Sequence, residues 1–62
     1  MTIETLGNKG CWYPVNLGRL MRRTGADPTS DVAELYHHAI DCYPNQDWRL
    51  CRDGAPIDTY EV

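Results

Sequence analysis

The chain has 62 residues, 42% of them hydrophobic, and a formal net charge of −3, which together bound it to one small folded domain and argue against disorder. Its three cysteines, Cys11, Cys42 and Cys51, are too few and too odd in number for a disulfide framework. No run of 18 or more apolar residues exists to span a membrane, and MTIETLGNKG lacks the apolar stretch of a signal peptide, so the cytoplasm is the expected compartment.

The opening TIETL alternates, GNKG supplies turn residues, and CWYPV resumes with β-favouring types, which predicts a hairpin over residues 2–6 and 11–14. Pro14 falls at the strand's end, where its missing N–H does least harm. From Val15 the period changes. Leu17, Leu20, Met21 and Thr24 recur at i, i+3, i+4 and i+7, the spacing of one helical face, and Arg19, Arg22 and Arg23 form a basic stripe opposite. Gly25 stands where a left-handed helix terminator belongs.

A second helix is expected in ADPTSDVAELYHHAIDCYP. Asp27 or Ser30 can cap it, Asp31 and Glu34 put negative charge in its early turns, and Pro44 stops it. Val32, Leu35, Tyr36, Ala39 and Tyr43 share its apolar stripe, while Glu34 and Asp41 lie seven apart on the solvent side. After a PNQD turn, WRLCR alternates, Asp53-Gly54-Ala55-Pro56 makes a turn, and IDTYEV alternates again. The order is ββααββ. It predicts an α+β domain, an antiparallel sheet of three or four strands with two short helices on one face.

Charge is distributed unevenly. Residues 1–26 carry Lys9, Arg19, Arg22 and Arg23 against Glu4 alone, a net +3. Residues 27–62 carry Asp27, Asp31, Glu34, Asp41, Asp47, Asp53, Asp58 and Glu61 against Arg49 and Arg52, a net −6. Opposed blocks in so small a body set up a dipolar field that steers a charged partner.

Catalytic and metal chemistry find little footing. His38 and Cys42, four apart on a helix, with Cys51 and Cys11 would make a one-histidine, three-thiolate zinc set, but no CxxC knuckle presents two thiolates together. Buried cysteine more often serves as a small hydrophobe, and whether Cys42 and Cys51 pair is left open by the sequence. A cysteine nucleophile with His38 needs a cleft that so short a chain rarely builds, so neither enzyme activity nor a cofactor is expected. A helix–turn–helix regulator using the basic first helix on phosphates is the alternative reading. Its second helix would offer Asp31, Glu34 and Asp41 to the nucleic acid, which makes direct nucleic-acid binding the weaker expectation. A homodimeric structural module is a third reading.

A protein-binding module fits the residues better. Carboxylates of Asp31, Glu34, Asp41, Asp47, Asp53, Asp58 and Glu61 suit a basic surface on a larger protein or complex, with Tyr43, Trp48 and Tyr60 as aromatic anchors. If that surface normally holds phosphates, the protein acts as a competitive nucleic-acid mimic.

In size, acidity and lack of motifs, the chain resembles the small phage-encoded anti-CRISPR inhibitors, some of which mimic DNA. Asp27, Asp31, Glu34, Asp41, Asp47, Asp53, Asp58 and Glu61 carry the likeness. It is one of kind, contains no diagnostic motif and transfers no functional residue. What it implies is a stoichiometric inhibitor of a nucleic-acid-handling complex, acting in the cytoplasm of a host cell. Arg19, Arg22 and Arg23 depart from a purely acidic mimic and imply docking by mixed charges.

Overall fold

The computed structural model describes residues 1–62. Alternation decides the first strand, β1 (Thr2–Leu6), which turns Ile3 and Thr5 to a buried side and Thr2, Glu4 and Leu6 to the other. A turn closed by the Gly7 N–H on the Cys11 carbonyl at 2.8 Å returns the chain into β2 (Trp12–Pro14). There Thr5 faces Tyr13, and Leu6 faces Trp12.

Helix α1 (Leu17–Thr24) starts at Asn16, whose side-chain oxygen accepts the Arg19 N–H at 2.9 Å. It ends at Gly25 (φ 70°, ψ 19°), as the sequence anticipates, where a left-handed residue lets the chain turn away at no steric cost. Helix α2 (Val32–Cys42) is capped by Asp31, whose carboxylate accepts the Glu34 N–H at 2.8 Å. This corrects the expectation of a cap at Asp27 or Ser30. Asp27 instead closes the preceding loop, accepting from the Thr29 N–H at 2.9 Å and the Thr29 hydroxyl at 2.8 Å, and those bonds hold its carboxyl below the usual range.

Strands β3 (Trp48–Arg52) and β4 (Ala55–Tyr60) complete one four-stranded antiparallel sheet in the order β2-β1-β3-β4. Their connection is a two-residue turn at Asp53 (φ 53°) and Gly54 (φ 81°), the doubly left-handed geometry that matches strand twist. The strand therefore begins at Ala55, two residues earlier than the alternation suggested, and takes Pro56 inside it. Pro56 opposes Cys51 and Asp58 opposes Leu50, leaving Ile57 as a bulge residue that is 50% exposed. Both edge strands thus carry a proline, Pro14 and Pro56, which interrupts the row of donors through which sheets add further strands.

Both helices cover one face of the sheet. Ile3, Trp48 and Leu50 from the strands meet Leu20, Leu35, Tyr36 and Ala39 from the helices in a single core. α2 lies over β3 and β1 and packs against α1, so the second face of the sheet is left without a helix. Cys51 belongs to that second face. It pairs with Thr2 and Pro56, alternates with the core residue Leu50, and is nonetheless buried.

Replacing Asp31 by alanine removes a cap of the second helix and is expected to cost about 1 kcal/mol, lowering Tm by roughly 4–8 °C in a domain of this size. Thermal unfolding followed by circular dichroism measures it. Asp27→Ala breaks only the two exposed loop bonds to Thr29 and is expected to shift Tm less. The reverse ranking would contradict the assigned cap.

Candidate functional site

The two charge blocks of the sequence become two lateral halves of the molecule. Between β2 and α1 lies a cleft of about 370 Å³. Arg19 and Arg23, one turn apart on α1, line it together with Asn16, Leu20, Tyr13, Pro14 and Val15. Thr5, Gln46 and Trp48 supply the rest of its wall. No carboxylate is among these residues, in a chain whose net charge is −3. Like charges four apart destabilise a helix by roughly 0.2–0.5 kcal/mol, and here nothing in the lining offsets them.

The floor of the cleft has its polar atoms occupied. The Thr5 hydroxyl donates to the Asp47 carbonyl at 2.9 Å, and the Trp48 indole N–H donates to the Tyr43 carbonyl at 3.2 Å. Asp47, beside the cleft in sequence, turns its carboxylate to the Val62 N–H at 2.9 Å. Tyr13, 51% exposed, is set against Gly7. A β-carbon there would stand 2.6 Å from the tyrosine ring, so only glycine leaves room for it.

The acidic half is built from α2, β3 and β4. Glu34, His37, His38 and Asp41 are all exposed on the side of α2 away from the core. Asp53 stands at the tip of the β3–β4 turn, and Asp58 and Glu61 lie on and just beyond β4. No Asp or Glu oxygen comes within the 4.0 Å of a basic nitrogen that defines an ion pair, so these charges are not neutralised internally. Not every acidic residue is equally free. Asp31 caps α2 and Asp47 holds the chain end, so both serve the fold.

Asp58 faces the core residue Tyr36, whose hydroxyl is buried without a hydrogen-bond partner. Burial first, and the neighbouring Asp58 charge second, push the Tyr36 pKa up to about 12.

The expected aromatic anchors need correction. Trp48 is only 3% exposed and sits in the core, so it contributes an edge to the cleft floor and does not project as a surface anchor. Tyr43 packs on Trp48 with ring centroids 6.2 Å apart, and the Tyr60 hydroxyl donates to the Pro44 carbonyl at 3.0 Å. Both are half-buried braces of the α2–β3 connection. Nor do the four residues of the notional zinc set converge. His38 and Cys42 are exposed on α2, whereas Cys51 lies on the far side of the sheet, and all three cysteines are free. Burial and the nearby Glu4 raise the Cys51 pKa, which keeps it a thiol.

Two features escape a sequence reading. One is the convergence of Arg19 and Arg23 on a cleft that excludes Arg22. The other lies on the helix-free face, where the Arg49 guanidinium sits 3.9 Å above the centre of the Trp12 ring. Such a contact contributes roughly 0.5–1 kcal/mol, and it ties β3 to β2 across β1. Both depend on strand order, which local periodicity does not carry.

Comparison of the chain with protein-family models, with curated proteins and with solved structures gives no match.

Tyr36 generates a prediction with a defined sign. Its folded pKa exceeds the unfolded value of 10, so its contribution is fully present below pH 10 and is lost as pH rises toward 12. Urea unfolding at pH 7 and pH 11 is expected to show the wild type losing stability at the higher pH and Tyr36→Phe losing less. Near pH 7 the variant is expected to lose little stability, since the deleted hydroxyl faces Asp58 without a hydrogen bond of ordinary length. Equal alkaline losses in the two proteins would contradict the assignment.

Proposed function

We propose that this protein is a stoichiometric binding module whose acidic half seats on a basic surface of a nucleic-acid-handling protein or complex and inhibits it by occlusion. The observation that carries the reading is the outer side of α2, where Glu34 and Asp41 are exposed and free of ion pairs. Seven residues of helix separate them along the axis by about 10.5 Å. Two carboxylates on one helix face at that spacing present a paired negative charge that suits a basic surface. Asp58 and Glu61 extend negative charge from α2 toward the edge of the sheet. Likeness in size and acidity to the phage-encoded anti-CRISPR inhibitors supports the same reading, and the basic α1 suits a partner that carries both signs of charge.

The helix–turn–helix alternative draws less support from the geometry. Its recognition helix would be α2, whose exposed side presents Glu34 and Asp41 to phosphates. Self-association through β4, where Ile57 is half exposed, is the competing use of the acidic half.

Affinity capture from a bacterial lysate with tagged wild type and with the double reversal Glu34→Lys, Asp41→Lys tests the proposal. The wild type is expected to retain a basic nucleic-acid-binding protein that is released as salt rises. The reversal is expected to retain roughly tenfold less of it, the order expected when interface charges turn repulsive, at an unchanged Tm. Undiminished capture by the variant would remove α2 from the interface. Recovery of nucleic acid alone would favour the regulator, and a doubled mass in solution would favour the homodimer.

A further inference from the structure

We propose that the cleft between β2 and α1 is a binding site for a nucleoside monophosphate, a small-molecule site separate from the acidic docking side. Its chemistry follows from the donors left over once the fold's own hydrogen bonds are made. The Asn16 side-chain oxygen already accepts the Arg19 N–H, and its amide N–H₂ is left to donate. Thr5 and Trp48 have spent their donors on backbone carbonyls. What remains to meet a ligand is two guanidinium groups, the amides of Asn16 and Gln46 and the Tyr13 hydroxyl, with no carboxylate in the lining.

Two adjacent cations ask for a group of matching charge. A carboxylate neutralises one of them. A phosphate monoester carries about −1.5 to −2 near neutral pH and has three acceptor oxygens, enough for both Arg19 and Arg23. The opposite wall is aromatic. Tyr13 is half exposed, and its ring rests where Gly7 has no β-carbon, so it offers a flat surface beside the arginines. Base-on-aromatic stacking is sequence-tolerant and substantial, and Gln46 can donate to or accept from a base edge. The volume of about 370 Å³ lies at the lower end of the range for small-molecule sites, which suits one nucleotide and not a helix or a strand.

The experiment is a titration of the whole, isotope-labelled protein followed by amide and arginine side-chain NMR, with AMP, UMP, inorganic phosphate and adenosine as separate probes. AMP and UMP are expected to shift Asn16, Arg19, Arg23 and Tyr13 saturably, with inorganic phosphate binding weaker and adenosine weaker still. Each of Arg19→Gln and Arg23→Gln is expected to lower AMP affinity roughly tenfold, as the loss of one charge-assisted hydrogen bond implies. Tyr13→Leu is expected to lower AMP affinity roughly fivefold or more while leaving inorganic phosphate unchanged, which a merely structural tyrosine would not do. Both arginines are exposed and glutamine is a good helix former, so the spectra of those variants also report that the fold is kept.

Three results would overturn the proposal: no saturable shift with either nucleotide, AMP affinity retained in Arg19→Gln, Arg23→Gln together, or equal affinities for AMP and inorganic phosphate. Shifts that map to the Trp12–Arg49 pair on the other face of the sheet would overturn the location.

Discussion

Everything in this molecule hangs on the pairing of β1 with β3, because that ladder joins two hairpins from opposite ends of the chain into one sheet. Ile3 opposes Leu50 and Thr5 opposes Trp48, and three of these four residues are core apolar side chains. Without that pairing the first hairpin, with a three-residue β2, would have nothing to bury against. The contact is non-local, so its closure entropy must be met by the burial it permits. Trp48 serves this purpose twice, filling the core and fixing the α2–β3 connection through its indole N–H.

The same ladder sets the electrostatics. It places the basic α1 beside β2 on one lateral half and the acidic α2 above β3 on the other, and no ion pair within the fold joins them. A domain that used its charges for stability would pair them. Here they remain available, which is consistent with a molecule that reads its surroundings through two surfaces of opposite sign. The proposed phosphate cleft and the proposed docking side are therefore products of one topological feature, yet they involve different elements and stand or fall separately.

Much of this was legible in the residues. The helical periods around Leu17–Thr24 and Val32–Tyr43, the glycine at position 25 and the Asp53–Gly54 turn each carry a local signal, and the structure has all of them. The cap is not decided by local sequence, because Asp27, Ser30 and Asp31 all have side chains able to cap and the choice among them depends on how the loop closes on Thr29. Trp48 looked like a surface anchor because tryptophan suits interfaces and cores alike. Its burial follows from standing opposite Thr5, a fact of register. Cys51 looked like a companion of Cys42, but strand alternation from Leu50 places it on the opposite side of the sheet. The cleft could not be seen at all, since Tyr13, Arg19, Arg23 and Gln46 meet only once β2 and the α2–β3 connection lie side by side.

Native-state hydrogen exchange of the amides in β1 and β3 tests the central claim most directly. If the β1–β3 ladder is what makes two hairpins one domain, the amides that bond across it, those of Glu4, Leu6 and Arg49, exchange with a single opening free energy equal to that of global unfolding. The core amides of α2 are expected to share that value. A first hairpin that opens at distinctly lower free energy than α2 and β3 would contradict the account, because the basic and acidic halves would then belong to separate units.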